Sequence, residues 1–294
     1  MAKKSYPVEK CLNIQQFTGN SFVSISEELS KMNHRLYRQS RKYYTSVKLQ
    51  DTPSVALDGT PTNGVDVYVL RDTWMLDNAV KMARAAYEKA VKEEKKALGK
   101  QLARWHDFRI NLNPSDGAGT VGAYTQVKSQ LVNADSLQAT ILNTGDFSLS
   151  NARDESNNLG YNFGLWESGN QFNILKEYSE HASTSQSPTE VETNVPYGEL
   201  DASDTSDTTF IELQQQGDMP PYDNDNMNDL QLWRHVGSLQ YSPHGHKLST
   251  GVFCAPLGVV MLVPHSRDVG AAAVQVCFDV KAGDYKGVYS EAMS

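Results

Sequence analysis

The sequence predicts a mainly β protein, a single β-sandwich with one long helix inserted between its early strands. Three observations carry that prediction. The stretch "STGVFCAPLGVVMLVP", residues 249–264, is the most apolar in an otherwise polar chain, and no charge interrupts it from Val252 to Val263. It is shorter than the roughly 20 residues a membrane-crossing helix needs, and Pro256 and Gly258 would break a helix. Its β-branched and aromatic content therefore reads as one strand, or two short strands joined by a bend, buried on both faces. Further segments with strand character are separated by loops rich in Asp, Asn, Ser, Gly and Pro. One segment alone carries a sustained helical period.

Along the chain, "SISEELSKMNHRL" (24–36) suits a short helix or an ordered arm. "RKYYTSVKLQ" (41–50) and "VDVYVLR" (65–71) alternate as strands do. The period then changes: Leu76, Val80, Ala83, Tyr87, Val91 and Leu98 recur at three-to-four spacing. Asp72 or Thr73 can cap this helix and Gly99 can end it, which bounds it at about 73–99. Strand character returns at 104–113, 136–143, 161–167, 208–215, 232–242, 251–263 and 271–290. The loops 144–160, 178–207 and 216–230 are too long for simple hairpins, and long loops on a β scaffold commonly carry function. Residues 251–263 are expected as an interior strand, covered on one face by the opposite sheet. The inserted helix or a neighbouring subunit would cover the other face.

The chain has 294 residues, 39% hydrophobic and 21% charged, which suits a folded globular protein. The opening "MAKKSYPVEK" has no apolar core of a secretory leader, so none is expected. The odd count of cysteines, Cys11, Cys254 and Cys277, and the lack of a CxxC pair suggest buried free thiols in a reducing compartment. The net charge of −8 conceals an asymmetry. Residues 1–50 hold nine Lys/Arg against three Glu, a net of +6, whereas residues 151–230 hold sixteen acidic and two basic residues, a net of −14. Residues 1–35 are expected as a basic arm and 36–294 as the folded domain. A basic arm on an acidic body implies that one side meets an anion, unless the arm is simply a charged surface strand.

Motifs of catalysis are missing: GxSxG, Walker A, GxGxxG, HExxH and paired-cysteine zinc spacings do not occur. No enzyme is expected, and no required cofactor. "SPHGHK" sets His244 and His246 two apart, on one face if extended, but without a third ligand nearby. "PPYDNDNMNDL" concentrates Asp223, Asp225 and Asp229, and oxygen ligands at alternating positions suit calcium. It lacks the EF-hand glycine and closing Glu, so it reads as a solvated acidic loop, with calcium at a subunit contact as the alternative. Lys3, Lys4, Lys10, Lys31, Arg35, Arg38, Arg41 and Lys42 interleave with Tyr37, Tyr43 and Tyr44. Cations neutralise phosphates and rings stack on unpaired bases, so Lys3, Lys4, Lys10, Arg35, Arg38, Arg41 and Lys42 are the candidate nucleic-acid contacts.

A basic arm, eight β-segments, a helix inserted after the second strand and long polar loops together resemble a viral jelly-roll capsid protein. "STGVFCAPLGVVMLVP…VQVCFDVKAGDYKGV" is similar in character to the last two strands of capsid proteins of small single-stranded DNA viruses, and "NHRLYRQSRKYY" looks like an arm entering a first strand. The resemblance implies a single eight-stranded jelly roll, with strands B at 41–50, C at 65–71, D at 104–112, E at 136–143, F at 161–167, G at 232–242, H at 251–263 and I at 273–281. Residues 208–215 would add a strand before G. It also implies a major capsid protein that self-assembles into an icosahedral shell, resides in the virion, meets packaged nucleic acid through its arm and needs no membrane. Two facing sheets with loops at their ends can tile such a shell through edges and symmetry. The competing reading is a lectin-like carbohydrate-binding sandwich using Trp166, Trp233 and the 220–230 loop. A glycoside hydrolase would need a matched carboxylate pair, which no spacing singles out.

Overall fold

The computed structural model describes residues 7–50, 63–98, 107–112, 125–132, 139–141, 151–153, 159–165, 171–175, 177–178, 233–240, 247–266 and 274–293. In chain order, its first part holds β1 (Cys11–Asn13), β2 (Ser21–Ser24), helix α1 (Ile25–Asn33), β3 (Arg41–Leu49), β4 (Asn63–Leu70) and helix α2 (Trp74–Leu98). The middle holds β5 (Thr125–Gln126), β6 (Gln130–Val132), β7 (Ala139–Ile141), β8 (Asn151–Arg153), β9 (Leu159–Gly164) and β10 (Gln171–Asn173). The last part holds β11 (Trp233–Gln240), β12 (Phe253–Ala255), β13 (Val259–Ser266), β14 (Val276–Val280), β15 (Ala282–Gly283), β16 (Gly287–Val288) and β17 (Ser290–Ala292). The protein is mainly β.

Two five-stranded sheets form the body. One runs β1-β14-β3-β12, with β17 also paired to β3; the other runs β11-β4-β13-β2-β5. Strand alternation turns one face of each sheet inward. Val65, Val67 and Val69 of β4 and Val260 and Leu262 of β13 meet Val47 of β3 and Val276, Phe278 and Val280 of β14 in one fully buried cluster. The segment read as strand B pairs with that read as I (β3 with β14), and the segment read as C with that read as H (β4 with β13).

The rest of the expected series differs. Within 107–112, expected as part of strand D, the only pairing is a single bridge from Asn111 to Gly164. Among the described residues the E segment pairs only with β6, the F segment lies in the separate β10-β9-β8 sheet, and the G segment joins the edge of β4. Strand β1 flanks β14 and β2 flanks β13. Residues 11–33, read from the sequence as part of an arm, thus supply one strand to each sheet and a helix. Leu12, Ile14, Val23, Ile25 and Leu29 are sealed in the shared core. These strands are only three and four residues long, and their pairing supplies what their local pattern lacks. The 208–215 segment lies outside the described residues.

The apolar run 253–266 divides at a bend. Phe253–Ala255 pairs with β3 in one sheet, and Val259–Ser266 pairs with β4 and β2 in the other. Pro256–Gly258 turns the chain between them, with Leu257 at φ 57° and Gly258 at φ 66°. That left-handed region suits glycine and is strained for leucine, and burial of the Leu257 side chain offsets the strain. Both faces are covered as expected from Ala255 to Leu262, all of which are buried. Val260 and Leu262 enter the shared core, while Leu257 and Val259 join a second cluster with Leu76, Ala79, Val80 and Ala83 of α2. The helix keeps its expected bounds, and Thr73 Oγ1 accepts the Leu76 N–H at 3.3 Å as its cap. Tyr87 is half-buried, its ring 5.8 Å from that of Phe108.

Candidate nucleic-acid interface

The segment between α1 and β3 carries the cations that the sequence singled out. Helix α1 stops at His34, whose left-handed backbone (φ 46°) returns its N–H to the Ser30 carbonyl. Beyond it Tyr37 and Gln39 are buried, and Arg35 and Arg38 are exposed. Tyr37 is anchored by its hydroxyl, which donates to the Lys286 carbonyl at 2.9 Å, and the Tyr43 hydroxyl donates to the Arg38 carbonyl at 2.6 Å. The buried Gln39 amide grips Ile110 at both ends, accepting its N–H at 2.8 Å and donating to its carbonyl at 3.3 Å. In this way a side chain substitutes for a ladder and fixes residues 107–112 beside the basic segment.

A second element completes the cluster. The turn between β15 and β16 presents Tyr285 and Lys286, the latter at φ 51°. The Arg41 guanidinium lies 3.8 Å from the centre of the Tyr285 ring and donates to the Ser290 carbonyl at 2.7 Å. Lys286 Nζ lies 5.4 Å from the Tyr285 ring and 5.8 Å from the Tyr37 ring, within range of cation–π attraction, and donates to the Leu36 carbonyl. Burial lowers the Lys286 pKa, and the charges of Arg38, Arg35 and Arg41 lower it further, with Asp107 opposing. Four cations therefore crowd one another here. A surface of that kind favours an incoming anion, which relieves the repulsion.

Arg38 also lines a cleft of about 330 Å³ against α2. Its walls carry Arg84, Lys92 and Lys95 from the helix, with Glu88 and Asp107 as the acidic members and Tyr87, Val91 and Phe108 as an apolar floor. Glu88 is paired to Arg84 at 2.8 Å, and Asp107 to the buried Arg109 at 2.9 Å. Burial raises the Asp107 pKa, and the Arg109 and Arg38 charges oppose that rise. Arg109 also donates to the Tyr37 carbonyl at 3.0 Å, so the ion pair supports the basic segment from beneath. Cations over a floor of rings and methyls are the parts that bind a phosphate chain with unstacked bases.

Arg35, Arg38 and Arg41 are brought together. Lys42 is not with them: it points to α2, where its ammonium pairs with Asp72 at 2.6 Å and Asp77 at 2.8 Å. Lys31 is likewise withdrawn, paired with Glu27 and Glu28. Lys10 is half-buried, and its carbonyl accepts the Val280 N–H. Lys3 and Lys4 lie outside the described residues, as do Asp223, Asp225 and Asp229, His244 and His246, and Trp166. Trp233 packs beside the second core cluster. Among the described residues no group of three metal-ligating side chains occurs, and no helix is long and apolar enough to cross a membrane. Sequence reasoning missed Tyr285, Lys286, Arg84, Lys92, Lys95 and Arg109; "GDYKG" is a turn signal whose cation could have been noted. No protein-family model, curated protein or solved structure matches this chain.

Proposed function

We propose that this chain is a viral capsid subunit, a jelly-roll-type sandwich that self-assembles into an icosahedral shell and meets packaged nucleic acid through the cleft lined by Arg38, Arg84, Lys92 and Lys95. The observation that carries the reading is this cationic cleft with its aromatic floor, set on two sheets in which β3 pairs with β14 and β4 with β13. Arg35, Arg41 and Lys286 extend the basic surface, and the terminal Lys3 and Lys4 and neighbouring Lys10 would add to it. In a shell this side would face inward and the acidic 151–230 region outward. Calcium held by Asp223, Asp225 and Asp229 at a subunit contact belongs to the same proposal, as does residence in the virion.

Size-exclusion chromatography with negative-stain microscopy of the purified protein tests the assembly. Closed particles or capsomers support it; a small oligomer whose elution shifts with sugar overturns it in favour of the lectin-like reading. The interface is tested by changing Arg38, Arg84, Lys92 and Lys95 together to Ala. Binding to single-stranded DNA should then lose about 0.7 from its log–log salt slope for each phosphate contact removed. An unchanged slope would show that nucleic acid does not use the cleft.

A further inference from the structure

We propose that Cys11 and Cys277 form an oxidisable dithiol, a disulfide modification site that fastens strand β1 to strand β14. The two residues are 266 positions apart in sequence, yet their Sγ atoms lie 2.7 Å apart. Register places them on the outward face of the β1–β14 pair. Cys11 stands opposite Asp279 and Asn13 opposite Cys277, while Leu12 and Phe278 between them point into the core. The cysteines are thus diagonal neighbours. Such positions set Cα atoms about 7–8 Å apart in a regular ladder, beyond the usual disulfide span of about 4.4–6.8 Å, so closing the bond requires the backbone of one strand to move. Here the side chains converge, and the sulfurs need less than about 1 Å of further approach to reach the bonded distance near 2.05 Å. Strand β1, three residues long and at the sheet edge, can supply that movement.

The two thiols differ in access, and the difference sets the order of events. Cys11 is exposed and Cys277 is buried. Burial, then the hydrogen bond with Cys11, pushes the Cys277 thiol up to about 12. An oxidised low-molecular-weight disulfide, of the glutathione class, is the oxidant. The Cys11 thiolate attacks one of its sulfurs, breaking that S–S bond and releasing one thiolate. Cys277 then attacks the Cys11 sulfur of the mixed disulfide, and the second thiolate leaves with the Cys277 proton. Two protein thiols are oxidised by two electrons and one small disulfide is reduced to two thiols. Cys254, half-buried on the opposite flank of β3 with its sulfur toward Asp72, takes no part.

The full-length protein incubated with excess oxidised glutathione and then alkylated, digested and mapped without reductant should yield a Cys11–Cys277 cross-linked peptide. Cys254 should be the one remaining alkylated thiol, and the thermal midpoint should rise. Cys277→Ser should instead accumulate a stable glutathione adduct on Cys11, and Cys11→Ser should keep both other thiols free. Circular dichroism of each variant checks that the fold is retained; a variant that unfolds is replaced by the corresponding Ala change. A lasting glutathione adduct on Cys11 in the wild-type protein, with Cys277 still alkylatable after denaturation, overturns the dithiol. So does a cross-link that includes Cys254.

Discussion

The interior between the two sheets and the cleft beside α2 are built on opposite principles. Between the sheets, Val47, Val67, Val260, Leu262 and Phe278 are fully buried and uncharged, and the strands' own ladders satisfy their backbones. At the cleft, by contrast, a buried arginine, a buried glutamine and a carboxylate with a raised pKa hold the chain in place. The first region spends its contacts on stability. The second keeps polar groups inside so that Arg38 and its neighbours stand at a defined place on the surface. A polar substructure of this kind is costly to disturb from within and cheap to alter at its rim.

The largest loss should come from opening the sheet interior. Phe278→Ala removes a fully buried ring from between the two sheets and should cost about 3–5 kcal/mol in urea unfolding. Nucleic-acid affinity per folded molecule should stay the same. A loss below about 1 kcal/mol would mean that the two faces do not pack as one core.

Arg109→Met should cost nearly as much, roughly 3–5 kcal/mol, because the buried Asp107 would lose its direct ion-pair partner. The same pair has a pH signature. Burial raises the Asp107 pKa in the folded state, so the folded protein holds this proton at a pH where the unfolded chain has released it. Stability from this group therefore falls as pH rises from the ordinary aspartate range through the raised value. Asp107→Asn should abolish that portion of the decline, as read from urea midpoints at successive pH values. Parallel curves for the variant and the parent would contradict the buried, strained carboxylate.

These contrasts also mark how far the sequence was legible. Helix α2 was readable because Leu76, Val80, Ala83, Tyr87, Val91 and Leu98 recur along its 25 residues, and β3 and β4 because they alternate over nine and eight. Strands β1 and β2 were not, since three or four residues cannot display a period. Their apolar Leu12 and Val23 acquire meaning only beside β14 and β13. The cleft was half legible. Composition flagged Arg35, Arg38 and Arg41, but Lys286 reaches Leu36 across 250 positions, and no local pattern announces such a meeting. Lys42 shows the converse, since its neighbours in sequence suggested an anion contact while its side chain found Asp72 and Asp77.

At the rim of the cleft the effect on folding should be small. Tyr87→Asp is the intermediate case. It puts a charge against Phe108 and should cost roughly 1–3 kcal/mol of stability. Arg38→Ala, on an exposed side chain, should leave stability within about 0.5 kcal/mol. Its effect should appear in the salt dependence of single-stranded DNA binding. If Arg38→Ala destabilised the fold as much as Arg109→Met does, the division between supporting and contacting cations would be wrong.

The smallest effect belongs to Lys42, and it sharpens the comparison because this cation lies on neither side of it. Its ammonium links β3 to the start of α2 through Asp72 and Asp77. Burial alone would lower its pKa, but the hydrogen bonds and charges of the two carboxylates prevail and the pKa is raised. A lysine raised on folding contributes stability that is fully present below its unfolded pKa, near 10.5, and is lost as pH climbs through the folded value. Lys42→Met should therefore match the parent closely in nucleic-acid binding. It should lie slightly below the parent in stability at neutral pH and converge on it as the pH climbs through the raised folded value. Thermal melts of the two proteins at neutral and alkaline pH measure this. A gap that persists undiminished at alkaline pH would show that Lys42 acts through packing of its aliphatic stem. A fall in DNA binding would return it to the contact surface where its sequence neighbours first suggested it belonged.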